Sequence, residues 1–173
     1  LFIPAMEGTV LPVFPRIYAV IGDDQSIQEN LSTFSAYMTQ LIRVLRDMSS
    51  DDLVLLDELG SGTDPVEGAA LAQAVTEEIH SRGGEAVITS HFSELKKLAY
   101  ATEGIENAFV EFDEETMTPT YRLMTGMAGS SNAFRISRRL GMPPQVLARA
   151  EAMEEQSPLH HMDAGTPDMN RQI

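Results

Sequence analysis

The stretch LVLLDELGSGTDPVEG, residues 53–68, decides the fold of this chain. Its first four residues form a continuous apolar run, which is typical of a strand in a parallel sheet covered on both faces. Two adjacent carboxylates, Asp57 and Glu58, end that run. Asp64 then caps a helix, a proline takes the first helical position, and Glu67 can complete a capping box. The stretch therefore predicts a strand, an acidic turn and a helix in direct succession.

The flanking sequence repeats this alternation of strand and helix. Residues 16–21 (RIYAVI) predict a short buried strand. Apolar side chains at spacings of three and four over residues 32–48 predict an amphipathic helix, with Ser32 as its N-cap. After the helix capped by Asp64, residues 86–89 predict another strand and residues 92–100 another helix. This rhythm indicates an α/β fold with a parallel sheet and flanking helices.

The last part of the chain has a different pattern. Residues 107–112 and 120–123 flank a polar turn and predict an antiparallel hairpin. Two short helices joined by a tight turn are expected at 131–140 and 143–153. From residue 156 periodicity is lost, and we expect disorder. The predicted domains are 1–130, 131–155 and 156–173.

Composition narrows the possible partners and location. The 173 residues carry a net charge of −14, with 12 basic against 26 acidic side chains. Such a surface repels phosphate backbones, so this chain is not expected to grip nucleic acid unaided. The absence of cysteine excludes disulfides and thiolate zinc sites and fits a reducing cytoplasm. No apolar run is long enough to span a bilayer, so no membrane partner is expected.

Chemistry is expected at the carboxyl edge of the sheet, where ligands of open α/β folds bind. There Asp57 and Glu58 should meet the next strand, which ends in Thr-Ser-His91. Neighbouring strand residues point to opposite faces, so the two acids should differ in role. In phosphoryl transfer Asp57 suits Mg²⁺, Glu58 suits the attacking water, and His91 can donate to a γ-phosphate oxygen. The alternative interpretation is an ordinary acidic turn followed by a surface histidine.

The helix that begins at Ser32 and Thr33 offers a second candidate feature. A hydroxyl, free backbone N–H groups and the positive end of the helix dipole together suit an anion. On local grounds a plain N-cap explains Ser32 equally well or better.

Three segments, in this order and spacing, resemble the MutS ATPase family. SIQENLSTFSAYM, LVLLDELGSGTDPVEGAALA and TSHFSELKKLA are similar to its signature, its Walker B and D-loop, and its histidine-switch segments. The form DELGSGTDPVEGAALA most resembles the bacterial MutS paralogues that carry a nuclease-like Smr domain. The resemblance covers residues 2–154. It implies a P-loop-type, ABC/MutS-like sheet, a closing hairpin and a C-terminal helix-turn-helix that dimerises.

The resemblance also implies an ATP site that uses Mg²⁺ and is shared between two subunits of a homodimer. Asp57 would bind the metal, Glu58 would polarise the hydrolytic water, and His91 would sense the γ-phosphate. Residues 60–64 would line the subunit interface. The implied nucleotide-binding residues are Ser32, Thr33, Ser61 and Asp64, the first two reaching the nucleotide of the opposite subunit.

One element of this family is expected to be missing. A glycine-rich loop with a lysine normally cradles the phosphates, but Lys96 and Lys97 are the two lysines here and neither follows a glycine. We therefore expect that the loop, its strand and its helix are absent, and that this chain alone neither binds ATP tightly nor hydrolyses it. We also expect the absent strand to leave LVLL with an unpaired edge and uncovered apolar surface, and hence self-association, strand exchange or partial disorder.

The implied function is that of a MutS-family ATPase acting on branched or recombining DNA, which suppresses recombination; any endonuclease activity would belong to another domain. One alternative is an ATPase that acts on stalled ribosomes. Another is a dimerisation module at residues 131–153, with a rim of arginines, of which at least half are expected to be merely solvated. Those arginines are Arg135, Arg138, Arg139 and Arg149. A transporter-type cassette is disfavoured because ENLSTFS stands where such proteins carry an LSGGQ-like signature.

Overall fold

The structure, a computed structural model, describes residues 5–22, 30–113, 116, 118–129 and 131–155, with the side chains of 30–33 and 155 excepted. The expected disordered tail from residue 156 lies outside this range. The elements are β1 Ile17–Val20, α1 Asn30–Asp47, β2 Leu53–Leu56, α2 Pro65–Ser81, β3 Glu85–Ile88, α3 Ser93–Ala101, β4 Ala108–Asp113, β5 Thr118–Thr125, α4 Ala133–Arg139 and α5 Pro144–Glu155. No helix in the described part of the chain is long and apolar enough to cross a membrane.

The three strands β1, β2 and β3 form a parallel sheet in that order. Leu56, the last residue of β2, is paired with Val20 on one side and with Ile88 on the other. The predicted α/β fold with a parallel sheet is confirmed. The prediction of an unpaired edge at LVLL is wrong, because β2 is the central strand with a neighbour on each side.

The two faces of this sheet differ in burial. Val54 and Leu56 on one face are fully buried, whereas on the other face Ile17 and Val87 are 61% and 60% exposed. The β2 strand is therefore fully buried on one face and half-buried on the other, and β1 is not the buried strand that its apolar sequence predicts. The predicted uncovered apolar surface is present on the open face. The core side chains of the covered face are Val20, Leu41, Val44, Met48, Val54, Leu56, Leu59, Ala69, Ala72, Val75, Ile79 and Phe92.

Helix starts follow the sequence prediction in one case and depart from it in another. The Asp64 carboxylate accepts hydrogen bonds from the Val66 and Glu67 amides at 3.0 and 3.2 Å, with proline at the first helical position, as predicted. Helix α1 begins at Asn30, so Ser32 lies inside the helix and its predicted role as N-cap is wrong. The helical backbone extends through residues 30 and 31, and whatever caps it lies outside the described residues.

A buried carboxylate ties the amino ends of the strands to α1. The Asp52 side chain is inaccessible to solvent and accepts hydrogen bonds from the amide and hydroxyl of Ser49 and from the Arg16 guanidinium. Burial opposes ionisation of Asp52, but these hydrogen bonds and the Arg16 charge outweigh it and lower its pKa. The beginning of β1, the end of α1 and the beginning of β2 are thereby joined at one point.

The chain packs as two compact units, which divide between Asn107 and Ala108. The second unit contains the predicted hairpin, formed by β4 and β5, and the two predicted short helices. Arg138 of α4 forms an ion pair with Glu151 of α5 at 2.5 Å. The hairpin and the C-terminal helices therefore belong to the same compact unit. The proposed functional division at residue 130 and the assignment of α4 and α5 as a dimerising helix-turn-helix stay predictions.

Candidate active site

The acidic turn after β2 is fastened to both neighbouring strands. Because Leu56 and Ile88 are register partners, the residues that follow them, Asp57 and Thr89, leave the sheet side by side. The Thr89 amide donates to the Leu56 carbonyl at 2.9 Å, and the Leu59 amide donates back to the Thr89 carbonyl at 3.1 Å. The Asp57 amide donates to a β1 carbonyl at 3.0 Å. The turn therefore has a defined backbone path at the carboxyl edge of the sheet.

The Thr89 hydroxyl joins the two acidic residues. It donates to Asp57 Oδ1 at 2.5 Å and accepts from the Glu58 amide at 2.8 Å. The sequence predicts a role for His91 of the same Thr-Ser-His segment but none for Thr89. The position of Thr89, directly after a strand that neighbours the acidic turn, could have indicated its role from the sequence.

Glu58 has an unusual backbone conformation. Its φ is 49°, in the left-handed region that residues other than glycine seldom adopt. Strand β2 ends at Leu56, so Asp57 and Glu58 belong to the turn, and their directions are not set by strand alternation, contrary to the prediction. Asp57 is half-buried and Glu58 is exposed. The two acids therefore have different environments, as predicted, but the turn is the cause.

The loop after Glu58 packs tightly against α2. A Cβ built on Gly60 would lie 2.4 Å from the Gly68 carbonyl oxygen, and Gly60 has a φ of +87°. The buried ring of Phe92 closes over the same contact, at 2.8 Å from the Gly60 Cβ position. Neither glycine has room for a side chain, and this contact fixes the path of residues 58–62.

The predicted interface residues Ser61 and Asp64 have distinct surroundings. The Ser61 amide donates to the Glu58 carbonyl at 3.0 Å, while its hydroxyl is buried and has no hydrogen-bond partner among the described residues. The Asp64 carboxylate is engaged with the first amides of α2. Asp64 thus has a local role in capping, and Ser61 has an unused polar group.

His91 lies beyond Thr89, in the turn that leads to α3. Its side chain is exposed, and its ring packs against that of Phe92 with 4.5 Å between centroids. The structure shows hydrogen bonds that join Asp57, Glu58 and Thr89; it shows no contact of His91 with either carboxylate within the described part of the chain. His91 is therefore held at the same edge through Phe92 rather than by the acids.

Helix α1 borders this edge from another side. The Cβ of Phe34 lies 3.8 Å from the Cβ position of Gly62, so the first turns of α1 adjoin the loop after Glu58. Ser32 and Thr33 belong to these turns, but their side chains lie outside the described residues. The Tyr37 hydroxyl is buried with no partner among the described residues. Burial, and then the negative charge of Asp57, raise the pKa of Tyr37 to about 12.

The predicted metal ligand is a single carboxylate with one acidic neighbour. Within the residues that the structure describes there is no cluster of three or more histidine or carboxylate side chains fit to hold a metal ion. Mg²⁺ sites in nucleotide enzymes need one or two carboxylates, because phosphate oxygens and water supply the remaining ligands. The chemistry of Asp57 fits such a site.

Parallel strands, flanking helices and polar groups at the carboxyl edge define the class of α/β proteins that bind their ligands at that edge. Within this class, the sequence matches the family described as MutS domain V over residues 1–157, and the chain belongs to that family.

Curated relatives agree with this assignment. The chain is 55% identical over 150 residues to "Endonuclease MutS2" of Symbiobacterium thermophilum, a match that covers 87% of this chain and 19% of the relative. Proteins of the same name from Geobacillus sp. (strain WCH70) and Clostridioides difficile (strain 630) are each 53% identical, over 152 and 151 residues, 88% and 87% of this chain. The chain spans about 19% of the length of these relatives. The predicted resemblance to the MutS family and its bacterial paralogues is confirmed.

Proposed function

We propose that the protein to which this chain belongs hydrolyses ATP, with Mg²⁺, at the carboxyl edge of the β1-β2-β3 sheet. One observation carries the proposal. Asp57 and Glu58 follow the central strand, and the hydroxyl of Thr89, just after the neighbouring strand β3, bonds to the Asp57 carboxylate and the Glu58 backbone amide. An oriented carboxylate next to a second acidic residue, placed where α/β folds bind ligands, suits phosphoryl transfer, because its catalysis consists mainly of positioning and electrostatic stabilisation.

Asp57 would hold the metal ion. Its carboxylate is half-buried and one oxygen accepts from Thr89, so it has a fixed orientation without being neutralised by a basic residue among its described contacts. When bound, Mg²⁺ neutralises charge that develops on the phosphate oxygens.

Glu58 and His91 would act on the reacting groups. Glu58 is exposed, so its carboxylate can accept a hydrogen bond from the attacking water and polarise it. The exposed imidazole of His91 has an N–H in either tautomer and can donate to a γ-phosphate oxygen.

The same proposal includes a second subunit. Ser32 and Thr33 of one copy would reach the nucleotide of the other, and residues 60–64 would face the partner. The Ser61 hydroxyl has no partner among the described residues but is buried, so a nucleotide or partner atom would reach it only after a shift of the loop. Asp64 would act indirectly, since its carboxylate already holds the start of α2.

The hydrolytic cycle would drive action on DNA. The curated relatives are named endonucleases, and we extend this to branched or recombining DNA as the substrate and the cytoplasm as the location. With a net charge of −14, this chain is suited to the motor part, so DNA contacts and nuclease chemistry would lie in other parts of the protein. Ribosomes stay the alternative substrate. The isolated chain stays predicted to be inactive, because it lacks the lysine-bearing phosphate loop.

Dimerisation through the C-terminal helices is a second candidate function of this chain. Leu140, Val146 and Met153 are 83%, 47% and 62% exposed. Exposed apolar side chains on α5 and on the turn that precedes it are typical of a surface that a partner covers, and a second copy of the chain is the proposed occupant. Arg138 is paired with Glu151 within its own unit, which leaves it less suited to an intermolecular rim.

The test of the hydrolytic function is Glu58→Gln in the full-length protein. The variant should keep its equilibrium affinity for ATP and lose turnover by roughly 100-fold or more, the usual contribution of a general base. Glu103→Gln is the matched control: Glu103 is exposed and precedes Gly104, which adjoins His80 near the far end of α2. Normal turnover by Glu58→Gln, or loss of ATP binding together with turnover, would contradict the assignment.

A further inference from the structure

The directions of the two hydrogen bonds that the Thr89 hydroxyl makes to Asp57 and Glu58 are fixed by chemistry. An ionised carboxylate can only accept, so the Thr89 proton must point to Asp57 Oδ1, at 2.5 Å. A lone pair then faces the Glu58 N–H, at 2.8 Å. A bond from a hydroxyl to a carboxylate is of the short, charge-assisted kind. One side chain therefore fixes the carboxylate of Asp57 and the peptide plane of Glu58 at the same time.

The Glu58 amide depends on the Thr89 hydroxyl, whereas the neighbouring amides of the turn bond to backbone carbonyls. The amides on either side of it, those of Asp57 and Leu59, donate to backbone carbonyls of β1 and of Thr89. The Glu58 amide between them is held by a side chain alone. Glu58 is also the residue that adopts the left-handed conformation, with a φ of 49°. The Thr89 hydroxyl thus helps to hold the unfavourable backbone of the turn in place, together with the bond from the Ser61 amide to the Glu58 carbonyl.

Burial does not account for the presence of a threonine here. Thr89 is exposed, and it follows β3 rather than belonging to it. Its backbone N–H and C=O bonds to Leu56 and Leu59 would be made by any residue other than proline. What a threonine or serine adds is the hydroxyl, and both described bonds of that hydroxyl go to the acidic pair.

We propose that Thr89 is a positioning residue for hydrolysis, which orients the Asp57 carboxylate and the Glu58 backbone through one hydroxyl. The inference rests on the proposed ATP hydrolysis. It assigns to Thr89 no contact with the nucleotide. Its effect is on the rate of the chemical step and on the demand for Mg²⁺, because a donor that fixes a ligating carboxylate typically contributes 10- to 100-fold to metal affinity or activity.

The experiment compares three substitutions in the full-length protein. Thr89→Val removes the hydroxyl and keeps the shape, and Thr89→Ser keeps the hydroxyl. Thr76→Val makes the same change in α2, where the hydroxyl bonds, among the described residues, to the Ala72 carbonyl alone. Thr89→Val should lower kcat and raise the Mg²⁺ concentration for half-maximal activity, each by roughly 10-fold or more, with little change in KM for ATP. Thr89→Ser should restore both values, and Thr76→Val should leave them unchanged.

A second readout does not depend on activity. Hydrogen exchange of the peptide that contains residues 57–60 should be faster in Thr89→Val by the equivalent of one amide, that of Glu58, and normal in Thr89→Ser. Wild-type turnover by Thr89→Val, or equal impairment of the valine and serine variants, would overturn the inference. If Glu58→Gln hydrolyses ATP normally, the proposed function fails instead; if Glu58→Gln is inactive while Thr89→Val is unaffected, only the role of Thr89 fails.

Discussion

Substitution of Gly68 by alanine tests how closely the loop after Glu58 rests on α2. In an ordinary helix this change is favourable by about 1 kcal/mol, because alanine loses less backbone entropy than glycine. At Gly68 the new Cβ would lie 2.3 Å from the Gly60 carbonyl oxygen and 3.1 Å from Phe92 Cζ. To reach an ordinary contact near 3.4 Å, that carbonyl must retreat by about 1 Å.

The cost of this displacement outweighs the gain in helix propensity. Overpacking by one methyl group in a close contact typically costs 1–3 kcal/mol, so we expect Gly68→Ala to lower the free energy of unfolding by about 1 kcal/mol in total. With a urea slope of about 2 kcal/mol per molar, the unfolding midpoint should fall by about 0.5 M. Far-UV circular dichroism is the suitable probe, because the chain contains no tryptophan.

Two further glycines make this a graded series. Gly22→Ala is the control, since its Cβ meets nothing within 4 Å and its φ is not positive, and it should change the midpoint little. Gly60→Ala combines a contact at 2.4 Å with a φ of +87° and should be the least stable of the three. A midpoint for Gly68→Ala at or above that of the wild type would refute this reasoning, because helix propensity would then exceed the steric cost.

Two other expectations concern the opposite edge of the sheet and the C-terminal helices. Asp52→Asn should destabilise the chain at pH 7 more than the exposed control Asp51→Asn. Because the pKa of Asp52 is lower in the folded state, its ionised carboxylate stabilises the fold above the ordinary pKa of 3.8, and this stabilisation is lost as pH falls through the lower folded pKa. The unfolding curves of wild type and variant should therefore converge in acid. If a second copy covers the exposed C-terminal helices, Leu140→Ser in the full-length protein should shift the mass measured by light scattering toward that of the monomer. The control Val13→Ser, at a position 95% exposed, should leave the mass unchanged. An unchanged mass for Leu140→Ser would show that this surface is not part of the interface.

The predicted site was only partly accessible from sequence. The meeting of the Asp57 turn with the Thr-Ser-His segment followed from the parallel order of the strands, which the alternation of strands and helices indicated. The partners within that edge did not follow. Thr89 and Asp57 are 32 residues apart, and the buried Tyr37 hydroxyl is on helix α1, to which neither of them belongs. Hydrogen bonds between distant residues depend on how elements are oriented, which no local spacing specifies.

What the sequence alone determined is local. The bounds of β2, the start of α2 at Asp64 and Pro65, and the hairpin were all encoded within a few neighbouring residues, since capping and turn formation involve groups only two to four positions apart. The tertiary structure alone decided that β2 is central yet fully buried on one face only, that Asp52 is buried, and that Glu58 is left-handed. Those features arise when distant backbones meet, because burial and strain are properties of the packed chain.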